Sequence, residues 1–349
     1  KENKKVIKKY NKIIKVIFIN IFFITLALFS IELLSGDLIF KKKLKCSYIL
    51  CNANYTYKTD LYTSEKIKIL YKKDQYGFRG RKIGTTKEIN FLTVGGSTTD
   101  ERYLNLKDTW SEQLEKLFEE NSKSFDVVNA GIDGQSSFGH IWSLNEWFVK
   151  INDLKIKNII FYIGINEKEY PGRHDLNIDK VKYPKKILYI LKYNNGFVSR
   201  VYEFFVHRYN PIDEFNVAHS KSRKANFHKV NFKNDFNTNF LSKNIREIIK
   251  ISKKLNINPI FVTQRTARWK ISDSQVYSIS KDKNYYSREK IISEAILKIC
   301  KDNKIICFDG FNQLDLDIND TYDLIHTNPA GSKKIAKFLF NNLKKAEFK

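Results

Sequence analysis

The chain has 349 residues, 42% of them hydrophobic, and a formal net charge of +24 at pH 7. This length can hold one large α/β domain with accessory segments, or at most two or three ordinary domains. The positive charge would suit nucleic acid, but the lysines are scattered through the whole chain and no recognised nucleic-acid motif accompanies them. We therefore expect no nucleic-acid partner, and we consider attraction to an anionic membrane surface or an acidic glycan a better match to the charge.

The N-terminal region combines a basic tail with a long apolar run. Lysines crowd residues 1–15, and Val16–Leu34 is almost unbroken Ile, Phe, Leu and Val. Because roughly 20 apolar residues cross a bilayer as a helix, we predict a cytoplasmic tail over 1–15 and an uncleaved transmembrane helix over 16–35. A cleaved signal peptide is the alternative, but its apolar region is shorter and no convincing small-x-small site is present.

The lysines ahead of the apolar run also predict the orientation of the chain. Positive charge is retained on the cytoplasmic side, so we expect a single-pass protein with a cytoplasmic N-terminus. The remaining domain then lies outside the cytoplasm, in the periplasm if the cell is Gram-negative. Residues 36–88 are predicted as a juxtamembrane connector, in which Arg79 is expected to pack the connector onto the domain rather than to hold substrate.

The four cysteines fall into two pairs of different character. Cys46 and Cys51 lie just beyond the apolar run, close enough in sequence to form a small disulfide loop in an oxidising compartment. Cys300 closes an apolar helical pattern and Cys307 lies in an apolar strand pattern, so both are predicted as buried thiols that act as small hydrophobes. No cysteine spacing indicates a zinc site.

From residue 89 onward, strand-like and helix-like patterns alternate. Apolar runs of strand length stand at 89–94, 125–128, 156–163, 259–263 and 304–308. This rhythm predicts parallel strands joined by right-handed crossovers, in a sheet covered by helices on both faces. The predicted domain spans 89–349, and residues 168–236, which lose the rhythm, are predicted as an insertion of helices and loops at one end of the sheet.

Four stretches carry polar residues at or after predicted strand ends. They are Gly96-Ser97, Gly131–Gly134, Gly164–Glu167 and Asp323–His326. Ligands of an open parallel sheet bind beyond the carboxyl ends of its strands, so these stretches are the candidates for chemistry.

The residues of these stretches suit nucleophilic catalysis. Ser97 needs a base to take its proton, and His326 is the candidate because imidazole titrates near neutrality. Asp323, three residues earlier, can accept a hydrogen bond from the ring within a single turn. The backbone N–H of Ser97, the backbone N–H of Gly134 and the side-chain amide of Asn166 could stabilise a developing oxyanion.

The ordered set Gly-Gly-Ser97, Asn-Ala-Gly-Ile-Asp-Gly134, Gly-Ile-Asn166-Glu and Asp323-x-x-His326 resembles the SGNH (GDSL-like) hydrolase superfamily over roughly residues 89 to 345. The resemblance implies a three-layer α/β/α sandwich with a mostly parallel, flavodoxin-like sheet. It also implies the catalytic and oxyanion-hole roles given above, with no metal or organic cofactor.

Two positions depart from the pattern of that superfamily. Gly96 stands where the family often has Asp, and Glu167 stands where it usually has Asp. Neither departure removes a reacting group, so we expect them to affect the placement of substrate more than the chemistry.

Another segment at a strand end faces the same mouth of the sheet. It contains Gln264, Arg265 and Arg268. The two arginines could bind an acidic group of a substrate, or they could pair with local carboxylates. The remaining histidines are predicted to lie on a helix or in the insertion, with no metal cluster among them.

Together these features predict a membrane-anchored serine esterase or O-acyltransferase that acts outside the cytoplasm. The expected partners are an acylated glycan or another ester, with O-acetyl groups of a cell-envelope polysaccharide as the leading substrate, and the lipid bilayer through the N-terminal helix. The alternatives are a lipid-directed esterase or thioesterase and, from another class, a non-catalytic glycan-binding envelope assembly protein. Hydrolysis and transfer share an acyl-enzyme, so the acceptor stays open at this point.

Overall fold

The computed structural model describes residues 2–35, 44, 46–80, 88–175, 214–217, 226–233, 236–280 and 284–346. The chain divides into two compact units, one of Lys1–Tyr48 with Tyr183–Pro211 and one of Ile49–Lys182 with Ile212–Lys349. Most of the predicted insertion at 168–236 lies outside the described residues, as do His207, His219 and part of the predicted connector.

Helices and strands follow one another along the described residues. The helices are α1 (Glu2–Ser35), α2 (Cys46–Ile49), α3 (Ser97–Asp100), α4 (Trp110–Glu120), α5 (Ser137–Trp142), α6 (Asn239–Lys254), α7 (Tyr285–Asn303), α8 (Gly310–Gln313) and α9 (Pro329–Lys345). The strands are β1 (Asn54–Thr59), β2 (Ile67–Lys72), β3 (Glu88–Gly95), β4 (Val127–Asn129), β5 (Lys155–Ile163), β6 (Glu214–Val217), β7 (His228–Lys229), β8 (Asn258–Thr263), β9 (Trp269–Ser272), β10 (Gln275–Ser278) and β11 (Ile306–Phe308).

The first unit contains the long helix α1. Its stretch Tyr10–Ile31 has 22 residues and a mean hydropathy of 2.4, and none of it is buried in the protein. The hydroxyl of Thr25 donates a hydrogen bond to the backbone carbonyl of Ile21, one turn earlier in the helix, at 2.8 Å. By length and composition this stretch could cross a bilayer, and a signal sequence has the same properties.

A five-stranded sheet forms the centre of the second unit. Its strand order is β11-β8-β5-β3-β4, and every neighbouring pair is parallel. The predicted α/β class with a mostly parallel sheet is thus confirmed. Because parallel neighbours need crossovers, each pair of strands is separated by helical chain, and all five carboxyl ends meet at one edge.

Helices cover both faces of this sheet. Ile160 and Tyr162 of β5 belong to a buried cluster with residues of α4 and α9. Phe161, between them, points to the opposite face, where its ring lies 6.0 Å from that of His140 on α5. The alternation of side chains along a strand therefore separates two apolar layers.

The predicted connector holds folded structure of its own. Strands β1 and β2 pair antiparallel, and β6 pairs with β1 in parallel, to give a second sheet of order β2-β1-β6. Arg79, which follows this hairpin and is 1% exposed, donates from its guanidinium to the backbone carbonyls of Asp100 and Glu101 at 2.6 and 2.7 Å. Arg79 therefore has a packing role, and this part of the connector belongs to the domain.

Two residues of the hairpin region hold the buried carboxylate of Asp100. The hydroxyl of Tyr71 donates to it at 2.7 Å, and the ammonium of Lys73 lies 3.5 Å away and also donates to the carbonyl of Gly131. Burial raises the pKa of Asp100, but the positive charges of Lys73, Arg102 and Arg79 outweigh it, so the pKa lies below its usual value of 3.8.

Cys300 and Cys307 are joined by a disulfide, with their Cα atoms 6.1 Å apart. Helix α7 ends at Asn303, and Lys304 takes a left-handed conformation with a φ of 53° that turns the chain back toward the helix. The prediction that these two cysteines are free buried thiols is therefore wrong. Cys46 and Cys51 are also disulfide-bonded.

The burial of His140 predicts how the stability of the protein depends on pH. Desolvation lowers the pKa of His140 from 6.5 to about 3. Between these values the unfolded chain binds a proton that the folded protein does not, so this residue makes the free energy of unfolding fall as the pH decreases.

We expect the pH dependence to be weaker in the variant His140→Gln than in the wild type, by up to about 1.4 kcal/mol per pH unit between pH 6.5 and pH 4. Urea unfolding at several pH values measures both proteins under the same conditions. Parallel curves for the two proteins would contradict the proposed cause.

Candidate active site

Ser97 begins the short helix α3 directly after strand β3. The backbone N–H of Thr99 donates to the carbonyl of Gly96 at 3.0 Å, so the chain passes from strand to helix within one residue. Gly95 permits this turn because it has no Cβ; a Cβ at this position would lie 2.1 Å from the side-chain oxygen of Thr99. The turn presents the Ser97 hydroxyl at the edge of the sheet where the strands end.

The ring of His326 connects Ser97 to Asp323. Its Nε2 lies 2.7 Å from the Ser97 hydroxyl oxygen, and its Nδ1 lies 2.5 Å from a carboxylate oxygen of Asp323. The other carboxylate oxygen of Asp323 accepts the backbone N–H groups of His326 and Ile325, at 2.6 and 3.0 Å. The ring of Tyr322 stacks on that of His326, with centroids 5.6 Å apart and planes 11° apart.

The surroundings of Asp323 favour its ionised form. Burial raises its pKa, but the hydrogen bonds from the ring and the backbone of His326 outweigh this effect, so the pKa lies below the usual value of 3.8. A carboxylate at Nδ1 fixes the tautomer in which Nε2 can accept the proton of Ser97. The side chains of Asp323 and His326 are 30% and 25% exposed, which leaves the pair reachable from solvent.

The side-chain amide of Asn166 lies beside the turn that carries Ser97. Its nitrogen donates to the carbonyl of Gln135 at 3.1 Å, and it approaches Gly96 so closely that a Cβ on Gly96 would lie 2.2 Å from it. An amide nitrogen has two hydrogens, and this bond uses one. Gly134, just before Gln135, has a φ of 71°, and a Cβ on it would lie 2.8 Å from the ring of His174. The structure thus brings the four stretches together.

Both departures from the family pattern have a local explanation. Glycine at position 96 leaves room for the amide of Asn166, whose nitrogen would lie 2.2 Å from a Cβ there. Glu167 is buried, and its carboxylate accepts the backbone N–H and the hydroxyl of Ser137 at 2.9 and 2.6 Å. Burial raises the pKa of Glu167 to about 7. This carboxylate holds the start of α5, directly after the turn at Gly134.

A second carboxylate holds the same turn, and no sequence pattern indicated it. Asp175 accepts the backbone N–H and the hydroxyl of Ser136, at 2.7 and 2.9 Å. Asp175 falls within the predicted insertion, where periodicity offers no guide. Asp175 lies eight residues after Glu167, and the two carboxylates bind adjacent serines, Ser136 and Ser137. The segment after Asn166 therefore folds back over the turn at Gly134.

The three predicted substrate-binding residues have partners within the protein. Gln264 donates to the hydroxyl of Thr98 at 2.8 Å. Arg268 forms an ion pair with Glu289 at 2.8 Å, which is the pairing with a local carboxylate that was one of its two predicted roles. The guanidinium of Arg265 lies 4.1 Å from the ring centre of Trp269, in a cation–π contact.

Among the described residues no group of three or more His, Cys, Asp and Glu side chains is arranged to hold a metal ion. His140 is buried, where its Nδ1 lies 3.1 Å from the side-chain oxygen of Gln135. His174 packs against Gly134, and His228 lies in strand β7.

The close approach of Gly96 to Asn166 leads to a test of the predicted oxyanion hole. We expect Gly96→Ala to displace the amide of Asn166 and to lower kcat for an aryl acetate by about 10²–10³, the usual cost of losing one such donor. Asn166→Ala should cause a loss of the same order. The double variant should lose little more, because both changes remove one interaction. Unchanged turnover in Gly96→Ala, or losses that multiply in the double variant, would contradict this explanation.

No family model and no curated protein sequence matches this chain. Solved structures with similar folds include the psychrotrophic esterase EstA from Pseudoalteromonas sp., at 12% identity and a TM-score of 0.41 over 74% of this chain and 97% of that chain. A GDSL-like lipase from Bacteroides thetaiotaomicron aligns at 13% identity and a TM-score of 0.37 over 77% of this chain and 93% of that chain. A variant of the acetyl xylan esterase Axe2 from Geobacillus stearothermophilus aligns at 13% identity and a TM-score of 0.42 over 74% of this chain and 96% of that chain. These three proteins are described as an esterase, a GDSL-like lipase and an acetyl xylan esterase.

Proposed function

We propose that this protein is a serine esterase of the SGNH type, with Ser97 as its nucleophile. The observation that carries the proposal is the unbroken hydrogen-bonded line from Ser97 through His326 to Asp323, with heavy-atom distances of 2.7 and 2.5 Å. The line lies at the carboxyl edge of a parallel sheet, where ligands of this architecture bind.

The geometry supports a two-step acyl transfer. His326 takes the proton of Ser97 through Nε2 as the serine oxygen attacks the ester carbonyl, and Asp323 stabilises the imidazolium that forms. The oxyanion is stabilised by the backbone N–H groups of Ser97 and Gly134 and by the amide of Asn166. The tetrahedral intermediate then releases the alcohol, which receives the proton from His326, and the acyl group stays on Ser97.

The second step frees the enzyme. Water, or a hydroxyl of a second sugar, gives its proton to His326 and attacks the acyl group on Ser97. The bond between the acyl carbon and the Ser97 oxygen then breaks, and that oxygen takes the proton back from His326. The product is a free acid in the first case and a new ester in the second. Both outcomes use the same residues, so the acceptor decides between hydrolysis and acyl transfer.

The proposed substrate is an O-acetylated polysaccharide of the cell envelope. The net charge of +24 favours acidic polymers, and the apolar stretch Tyr10–Ile31 is long enough to anchor the chain in a membrane. Disulfide bonding at Cys46, Cys51, Cys300 and Cys307 is typical of an oxidising compartment, which supports a place outside the cytoplasm.

The nucleophile is tested with Ser97→Ala in the full chain. We expect kcat for an aryl acetate to fall by about 10⁴ or more, and labelling by a fluorophosphonate to disappear, because the variant lacks the attacking oxygen. Ser272→Ala, a change of the same kind at an exposed site, is the control and should retain wild-type activity. Full activity in Ser97→Ala would disprove the assignment.

The choice of ester separates the alternatives. The wild type is offered an acetylated envelope glycan, an aryl acetate and a long-chain aryl ester. Preference for the long chain would support a lipid-directed esterase instead, and a folded wild type that binds glycan but neither reacts with the fluorophosphonate nor cleaves any ester would support a binding protein.

The orientation is tested with reporters fused after Lys349. We expect alkaline phosphatase, which folds only in an oxidising compartment, to be active, and the protein in the membrane fraction to retain its N-terminal residues. An inactive phosphatase together with an active cytoplasmic reporter would contradict the proposed topology. Loss of the N-terminal segment would identify it as a signal peptide.

A further inference from the structure

Glu101 connects the turn of the nucleophile to the loop of the base, and no catalytic step described above uses it. It follows α3 in a left-handed conformation with a φ of 44°, and its backbone N–H donates to the carbonyl of Ser97 at 2.9 Å. Its side chain points into the protein, where the residue is 4% exposed. The backbone of Glu101 is thus fixed to the nucleophile itself.

The carboxylate of Glu101 meets donors from three other parts of the chain. One oxygen accepts the backbone N–H of Trp110 at 2.7 Å, at the start of α4. The other accepts the hydroxyl of Thr327 at 2.9 Å and also the hydroxyl of Ser332 on α9. Thr327 is 3% exposed and directly follows His326. One buried side chain therefore joins the turn of Ser97 to the residue next to the base.

On the basis of the proposed function, we propose that Glu101 is a positioning residue, which sets the separation between Ser97 and His326 through its bond to Thr327. Ser97 and His326 are 229 positions apart in sequence, so local geometry cannot fix their distance. Proton transfer requires heavy atoms within about 2.6–3.2 Å, and a displacement of 1 Å can cost about 10²-fold in rate.

The chemistry of a carboxylate suits this role. It accepts several donors at once, and bonds to a charged acceptor are roughly twice as strong as neutral ones. Burial raises the pKa of Glu101 to about 7, although its three donors and the charge of Arg79 act in the opposite direction. An apolar side chain would avoid the cost of desolvation, but it would leave the buried N–H of Trp110 and the hydroxyl of Thr327 without this acceptor.

The test removes the hydrogen bond between Thr327 and Glu101 by changing Thr327, the residue after His326. Thr327→Val keeps the shape of the side chain and loses the hydroxyl, and Thr327→Ser retains it. Thr93→Val is the matched control, since Thr93 is also buried and its hydroxyl pairs with Ser111 at 2.9 Å rather than with Glu101. For each variant we measure kcat and KM with an aryl acetate, the rate of fluorophosphonate labelling at Ser97, and unfolding in urea.

We expect Thr327→Val to lower kcat and the labelling rate by about tenfold to a hundredfold, with KM within about twofold of the wild type. Thr327→Ser should recover most of the rate. Thr93→Val should lose a comparable amount of stability and retain the wild-type kcat, which separates positioning from a general loss of packing.

Each result bears on a different conclusion. A wild type that is folded but neither labelled nor active overturns the proposed esterase function. An active wild type with wild-type kcat in Thr327→Val, or with equal losses in Thr327→Val and Thr93→Val, overturns the positioning role. If Thr327→Val does not fold, Glu101→Gln serves in its place, since it replaces one acceptor oxygen by an N–H2 donor. Wild-type kcat in that variant would equally overturn the role.

Discussion

The hydrogen bond between Ser97 and His326 imposes the strictest demand on this fold, because two short loops from distant parts of the sequence must meet at 2.7 Å. The parallel sheet meets the coarse part of this demand, since it gathers the carboxyl ends of its strands at one edge. The fine part depends on buried polar contacts. Asn166 fills the space at Gly96, and the carboxylate of Glu101 accepts the hydroxyl of Thr327, the residue after His326.

The strands of the central sheet and the four polar stretches were visible in the sequence because each has a local signal. A buried parallel strand is a short apolar run, and the chemistry of a serine with a histidine and an aspartate is carried by residue type and order. The hairpin of β1 and β2 has a local signal of another kind, since its strands alternate tyrosine or isoleucine with lysine and threonine, a pattern typical of half-buried strands, and Tyr57, Ile69 and Tyr71 pack in one cluster. Its attachment to the domain depends on contacts with residues farther along the chain, such as Asp100, which the sequence pattern does not specify.

The residues that no pattern indicated act through contacts that only the tertiary structure creates. Glu167 was noted in sequence only as a departure, and its bonds to Ser137 depend on the packing of α5 against the loop after β5. The pairing of Cys300 with Cys307 likewise depends on a left-handed turn at Lys304, which the sequence pattern of an apolar helix and strand does not specify. The glycine at position 96 also has its explanation in the tertiary structure, because the side chain of Asn166, from another of the four polar stretches, occupies the space beside it.

The folded hairpin ahead of β3 lies in the same compact unit as Ser97 and His326. Tyr71 and Lys73 hold Asp100, three residues after the proposed nucleophile, and the second unit starts at Ile49 rather than near residue 89. A fragment cut at the first strand of the central sheet would lack the hydroxyl donor Tyr71 and the ammonium of Lys73, and it would leave the buried carboxylate of Asp100 paired with Arg102. Residues 49–80 thus belong to the same compact unit as Ser97, and a truncated form of the protein that omits them loses the contacts of Tyr71 and Lys73 with Asp100.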